Sequence, residues 1–226
     1  MAKKRIHTAY FDETGKRLPS VTTVISSLGW NKRALMHWAW KMGVDGLDYK
    51  KVSGEAADIG TIAHAMVQDF INRKMQDLDP QHVYSPELEE GKYAPEDVEK
   101  ASVAFAAFEA WWEQHNIIPK ATEMKLASNV HGYGGTLDFV CSLDDRPALV
   151  DFKTSKGVYP DHLIQLSAYQ QLFAEAQGGR MLDLFLLRID KETGIFEFYH
   201  YPHLGASWEV FQHLLAIHKL QKEIGG

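Results

Sequence analysis

The sequence predicts an α/β domain: a mixed β-sheet flanked by helices, with a helical region leading into it. Three observations carry that expectation. Up to about residue 118, apolar residues recur at spacings of three and four. After Pro119 the period shortens to two, in short segments rich in β-branched and aromatic residues. From there the order reads three strands, a helix, two strands and a helix, which places a sheet under helical cover.

The elements follow in order. Ser20, just after Pro19 in SVTTVISSLGW, has the chemistry of a helix N-cap. KRALMHWAWKMGVDGLDYKK reads as a second, tryptophan-rich helix. GEAADIGTIAHAMVQDFINRKM sets Ile59, Ile62, Ala63, Met66, Val67, Phe70 and Ile71 at helical spacing, the pattern of an amphipathic helix. Asp77 to Pro95, acidic and carrying Pro80, Pro86 and Gly91, is expected as a surface loop. EDVEKASVAFAAFEAWWEQHN is apolar on most sides and is expected as a largely buried helix. ATEMKLAS, GGTLDFVCSL and ALVDFKTS read as successive antiparallel strands, with a hairpin turn at HGYGG. DHLIQLSAYQQLFAEAQGG is a helix capped by Asp161 and ended by its glycine pair. MLDLFLLRID and GIFEFYHYP form a strand pair around KETG, and SWEVFQHLLAIHKLQKEI closes the chain as a helix.

Bulk properties narrow the function classes. The 226 residues suit one compact domain, and 45% apolar with 24% charged residues is ordinary for a water-soluble chain. No apolar run approaches the ~20 residues of a membrane helix. The basic start of MAKKRIHTAYFDETGKRLPS is not followed by an apolar core, so no secretory signal is expected and the cytoplasm is the expected compartment. The single cysteine, Cys141, excludes an internal disulfide, a four-cysteine iron–sulfur cluster and a zinc ribbon. The net charge of −6 hides an asymmetry: residues 1–41 carry a local balance of +6 and residues 77–99 one of −7. A basic entrance beside an acidic outer face is compatible with a polyanion, and each segment is equally compatible with an ordinary solvated surface.

Charges inside two apolar strands are the informative feature. Asp138 lies within TLDFV, and Asp151 and Lys153 bracket Phe152 in LVDFKTS. If these strands are neighbours, the carboxylates sit side by side, and Lys153 shares the face of Asp151 because strand side chains alternate with period two. Two desolvated carboxylates repel each other. A hard divalent cation such as Mg²⁺ or Mn²⁺ removes the repulsion, lowers the pKa of a bound water and stabilises charge on a phosphoryl oxygen. A lysine beside that cation is favoured in its neutral form and can position or deprotonate the water. The rival reading is a buried Asp–Lys pair that holds strand register, which leaves the second carboxylate without a partner.

The spacing Gly-Gly-Thr-Leu-Asp, then Asp-Phe-Lys, resembles the core of the PD-(D/E)XK nucleases. GTIAH (Gly60 to His64) upstream, QLSAY (Gln165 to Tyr169) after the Asp-Phe-Lys strand, and SVT at Ser20 before a tryptophan-containing helix are similar to the RecB-like exonuclease branch, including small mitochondrial and phage enzymes. The likeness spans about residues 19 to 200. It departs from the CRISPR-associated and AddB-type relatives, whose cysteine-bound iron–sulfur cluster this chain cannot hold.

The resemblance implies a restriction-endonuclease-like core, with residues 1–118 forming one wall of a cleft and residues 119–226 the catalytic part. It implies a metal-dependent DNA exonuclease acting on ends, often single-stranded, in recombination, repair or phage replication, with one or two Mg²⁺ or Mn²⁺ ions. Asp138, Asp151 and Lys153 take the catalytic positions. His64, Asp138, Asp151 and the Phe152 carbonyl form the implied metal set, against the alternative of a partly buried structural histidine at position 64. Gln165 and Tyr169 share a helix face and either support the site or form a local core hydrogen bond. Glu123 stands where relatives often carry a glutamate near the metal; it is not assigned as a direct ligand, and it either accepts from Lys153 or is an edge-strand charge. Ser20, Lys32, Arg33 and Trp38 are candidate supporting or DNA-contacting residues, with Trp30 beside them, whereas Trp111 and Trp112 are expected in the core. The alternatives are a non-catalytic nucleic-acid-binding module of the same fold and a metal-stabilised structural domain.

Overall fold

The computed structural model describes residues 8–76 and 91–225. Of the expected acidic loop, Asp77 to Glu90 lie outside the described residues, as do Lys3, Lys4 and Arg5 of the basic N-terminal segment. Strands β1 (Tyr10–Phe11) and β2 (Arg17–Leu18) form a small hairpin that precedes the helices α1 (Val21–Ile25), α2 (Lys32–Val44), α3 (Tyr49–Gln76) and α4 (Pro95–Glu113). The main sheet contains β3 (Ile117–Ser128), β4 (Tyr133–Leu143), β5 (Arg146–Lys153), β6 (Asp183–Ile189) and β7 (Phe196–Tyr201), with α5 (Pro160–Ala176) between β5 and β6 and α6 (Gly205–Ile224) at the end.

The sheet order is β3-β4-β5-β6-β7, antiparallel except for the parallel β5–β6 pair. This is the mixed sheet expected, and α5 is the crossover that a parallel pair requires. β6 is buried along nearly all its length, as a central strand covered on both faces should be. One core lies under α3 and α4 and includes Ile62, Ile71, Phe108, Trp111, Phe139 and Phe152. A second core, under α1, α5 and α6, includes Val24, Tyr133, Leu137, Leu149, Leu172 and Phe211. Among the described residues no helix is long and apolar enough to cross a membrane.

Four local expectations change. The second helix stops at Val44; Gly46, at φ 72°, turns the chain, and Tyr49, Lys50 and Lys51 open α3 instead. Asp48 accepts the Lys50 N–H at 2.8 Å and so satisfies a free donor at the start of α3. The cap of α5 is Tyr159, because Pro160 occupies the first helical position and pushes Asp161 into the first turn. α4 buries only one face, Ala101, Ala104, Ala107, Phe108 and Trp111, while Val98 and Val103 face outward, since α3 and the sheet lie on one side of it. The β1–β2 hairpin was not expected; Asp12 builds its turn, accepting from the Thr14 and Lys16 N–H groups, each at 2.9 Å.

Candidate active site

The charged residues converge where β4 changes face. Leu137 belongs to the core under α5 and α6, yet Phe139, two residues on, belongs to the core under α3 and α4. Regular strand alternation would put both on the same side. The interruption falls at Asp138, opposite Glu123 on β3, between the rungs Thr122–Phe139 and Met124–Leu137. Glu123 has φ 50°, a left-handed conformation that costs a non-glycine residue roughly 1 kcal/mol or more. That strain sits at the point where a carboxylate is directed out of both cores and towards Asp138.

On the other side of Asp138, the last β4–β5 rung is Phe139–Val150, so Asp151 is its direct neighbour on β5. The Phe152 N–H donates to Asp138 Oδ2 at 2.9 Å and fixes that carboxylate. Lys153 contacts Asp151 Oδ2 with its ammonium, and its Nζ lies 3.4 Å from the Phe152 carbonyl. Asp151 is fully buried, and among the described residues neither of its oxygens receives a hydrogen bond of regular geometry. From α3, His64 brings Nδ1 to 3.9 Å from Asp138 Oδ2. Gly60, one turn earlier, leaves room for the chain's own Thr154, whose hydroxyl would stand 3.1 Å from a β-carbon at that position.

Burial dominates the electrostatics. It raises the Asp151 carboxyl to about 6, with Asp138 adding to the rise and Lys153 opposing it. Burial and then Asp138 raise Glu123 to about 7. Asp138 is also raised by burial, against Lys153 and the Phe152 N–H. His64 is lowered to about 4, first by burial and then by the Lys153 charge, so its imidazole is neutral and has a lone pair to offer. Burial works to lower the Lys153 pKa, but Asp151 and Asp138 overcome it and the value is raised. Without a cation, Lys153 is therefore charged rather than neutral as the sequence argument anticipated, because that argument had already counted the cation's charge.

A divalent ion fits this donor set. One ligand atom each from His64, Glu123 and Asp138 lies within 4.8 Å of the others. Two raised carboxylates and a neutral imidazole are what a hard cation would stabilise. Of the set expected from the resemblance, His64 and Asp138 converge here together with Glu123, and Asp151 is engaged by the Lys153 ammonium.

Two cavities meet at this point. One, of about 920 Å³, is lined by Lys125, Lys153, Lys156 and Lys191. The other, of about 970 Å³, includes Ser20, Thr23, Thr136, Arg17 and Lys222. Thr8, His64 and Glu123 line both. Ser20 is the N-cap of α1, accepting the Thr23 N–H at 3.0 Å, and it faces the second cavity together with Asp138. Tyr169 also lines that cavity and accepts from Gln165 Nε2 at 2.7 Å. The glycines of GYGG make this approach possible: a β-carbon at Gly135 would stand 2.7 Å from the Tyr169 ring, and one at Gly134 would collide with Tyr10. Lys32, Arg33 and Trp38, on α2, are not among the residues lining either cavity, and Trp38 instead packs edge-on against Tyr49.

Sequence reasoning missed Arg188. It pairs in register with Lys153, and its buried guanidinium donates to the Ser155 carbonyl at 2.8 Å and the Lys156 carbonyl at 2.9 Å. Glu197 and Asp190 accept from it at 2.9 and 3.0 Å. Arg188 thereby fixes the chain as it leaves Lys153. The signal was available, since a charge inside FLLRID is the same kind of anomaly as Asp138 inside TLDFV.

Residues 38–220 match the model of the PD-(D/E)XK nuclease superfamily, and the chain belongs to that superfamily. Its helix-flanked mixed sheet is the restriction-endonuclease-like core of that group. Solved structures resemble it at low identity. A candidate exonuclease from Eubacterium rectale is 14% identical, with a TM-score of 0.46, over 74% of this chain and 65% of that one. The chain thus spans slightly less than two thirds of that protein. SSO0001 is 16% identical, with a TM-score of 0.34, over 70% of this chain and 74% of its own. LHK-Exo in complex with dAMP is 13% identical, with a TM-score of 0.39, over 76% and 87%. A search of curated proteins gave no match.

Proposed function

We propose that this nuclease-superfamily chain is a divalent-metal-dependent DNA exonuclease of the RecB-like type, acting on strand ends. The observation that carries the reading is the meeting of His64, Glu123 and Asp138 at the junction of two open cavities, one rich in lysine and one rich in hydroxyl groups. A purely structural ion site has no use for open space on both sides or for a charged lysine beside it. The absence of cysteine ligands and the hard-oxygen character of the set favour Mg²⁺ or Mn²⁺.

When bound, such an ion stabilises charge on a phosphoryl oxygen and lowers the pKa of a water. His64, Glu123 and Asp138 would hold it, with Asp151 and the Phe152 carbonyl close by. The protein's own part is positioning. The Phe152 N–H orients Asp138, and Asp151 keeps Lys153 charged and directed at the site. The Lys153 ammonium can then donate to a non-bridging phosphate oxygen as negative charge grows there. In hydrolysis the water oxygen bonds to phosphorus, the bond to one sugar oxygen breaks, and that oxygen leaves with a proton. Lys125, Lys156 and Lys191 give the adjoining cavity the charge to hold the next phosphates of the strand. The alkaline lining lies inside the cleft, so an overall charge of −6 does not oppose the binding of a polyanion.

The test is cleavage of end-labelled linear and circular single-stranded DNA, and of duplex DNA, with Mg²⁺, Mn²⁺ or EDTA. Metal-dependent loss of the linear strand alone is expected, reduced at least about a thousandfold in Asp151→Asn and in Lys153→Ala. Cleavage of circles would make the chain an endonuclease. A wild-type protein that binds metal but cuts no DNA or RNA would leave a binding or structural module of the same fold.

A further inference from the structure

Beside the site runs a third groove, of about 700 Å³, between the end of α1, the turn into α2 and the first turns of α5. Ile25, Leu28, Ala34 and Pro160, with the rings of Trp30 and Tyr159, give it an apolar part, beside polar lining from Asn31 and others. Trp30 is 64% exposed and Tyr159 48% exposed, although two large rings at one groove would ordinarily be covered. The groove is continuous with the catalytic region, since Thr22 and Ser26 line both it and the cavity that holds Asp138 and Glu123. Gln165, which donates to Tyr169, reaches the same groove. Lys32 and Arg33 stand exposed in the chain just after Trp30, and Asp161 lines the α5 side.

We propose that this groove is a stacking subsite for one unpaired nucleobase of the strand whose backbone occupies the adjoining hydroxyl-lined cavity. The proposal rests on the nucleic-acid reading of the site. A base offers a flat apolar face to Trp30 and Tyr159, and any of the bases can do so. Adenine, cytosine or guanine could in addition donate an exocyclic amino hydrogen to Asp161, whereas thymine tests the stacking alone; Lys32 and Arg33 neutralise phosphates at the rim. An apolar groove that continues into a polar cavity matches a strand that is apolar at its bases and charged along its backbone. A base inside a duplex has both faces stacked on its neighbours and cannot enter, so the subsite selects single strands. An apolar peptide would fill the groove but would leave the continuous hydroxyl-lined cavity and the basic rim unused.

The test is equilibrium binding rather than cleavage. Fluorescently labelled oligothymidylate would be titrated with wild-type protein, Trp30→Ala and Tyr159→Leu in EDTA, and read by anisotropy. Each substitution is expected to weaken binding at least about fivefold. In wild type, removing one base at a time should expose a single register at which an abasic position is penalised, and that penalty should vanish in Trp30→Ala. Both side chains are substantially exposed, so unchanged melting temperatures would separate lost stacking from lost fold. Undiminished affinity in both variants, the result a peptide groove would give, overturns the subsite and leaves the nuclease reading standing. An abasic scan identical in wild type and Trp30→Ala does the same. No binding by the wild type, either in EDTA or with Ca²⁺ in place of the catalytic ion, sinks both.

Discussion

Two neighbouring strands each set a basic residue beside acidic ones, Arg188 buried and Lys153 half-buried, and the two groups are finished differently. On β6, the Arg188 guanidinium is hydrogen-bonded to two carbonyls and two carboxylates. On β5, in register with it, Lys153 meets Asp151, whose carboxylate is sealed from water and receives no regular hydrogen bond among the described residues. A buried polar network is favourable only when every member is satisfied. The Arg188 group is complete without a ligand and acts as scaffold. The Asp151 group is incomplete, and proteins tolerate an incomplete buried group where a ligand or a reaction completes it. Two clusters of similar composition thus differ in whether their hydrogen bonds are complete among the described residues.

The largest expected effect tests that distinction directly. Arg188→Met should cost about 2–3 kcal/mol in denaturant unfolding, because it removes the hydrogen bonds of a buried guanidinium to two carbonyls, while the more exposed Glu197 and Asp190 carboxylates turn to water. Asp151→Asn should cost the metal-free protein less than that, because burial already disfavours the Asp151 charge and Asp138 remains beside Lys153, although the same change is expected to abolish cleavage. Unfolding curves in EDTA at neutral pH decide the matter. Equal losses in the two variants would mean that the Asp151 pair is scaffold as well.

How legible the site was follows from the same contrast. The strands, the mixed sheet and the Asp138–Asp151 juxtaposition were readable because charges inside apolar runs are anomalous and a period of two fixes which residues face together. That Glu123 converges with His64 and Asp138 was not readable from the residues themselves. Its placement depends on a left-handed residue within a strand and on the face change at Asp138, neither of which has a local sequence signature. The α5 cap was misplaced because Asp161 is a good cap by chemistry, but Pro160 prefers the first helical position more strongly. Lys32, Arg33 and Trp38 were read as candidates from their place in the sequence, and they do not line either of the two cavities at the carboxylates. Gly134 and Gly135 looked like turn residues, and the structure uses them instead as flat places against which Tyr10 and Tyr169 pack.

That packing supplies a smaller prediction. Gly135→Ala drives a methyl group to 2.7 Å from the Tyr169 ring and 2.9 Å from Leu172, a clash that should cost about 1–3 kcal/mol and shift the Gln165–Tyr169 pair. Gly205→Ala, at the start of α6 with nothing within 4 Å of the added carbon, should be neutral or slightly stabilising. Thermal melting of the two variants compares a glycine that admits the Tyr169 ring with one that only begins a helix. A tolerant Gly135 would show that α5 can move back from β4, and would loosen the case for Tyr169 as a rigid support.

The subtlest effect is on pH dependence, where the two charged groups should have opposite signs. Glu123 and Asp151 are raised in the folded protein, to about 7 and about 6, first of all by burial. The native state therefore retains protons that the unfolded chain has already released, and stability falls as the pH climbs through the interval between the unfolded and folded values. Asp190, beside Arg188, is lowered by hydrogen bonds from the Glu192 and Thr193 N–H groups, so its contribution is present above the usual carboxylate range and is lost on acidification. Glu123→Gln removes one titrating group from the site and leaves Asp190 untouched. In EDTA, its melting temperature minus that of wild type should be near zero or negative at about pH 5 and should become more positive by about pH 8. Adding Mg²⁺ should stabilise wild type more at the higher pH, because a cation replaces the protons those carboxylates would otherwise hold. A difference that stays flat across the range would mean that Glu123 is already solvated and charged, and would remove it from the metal-binding group.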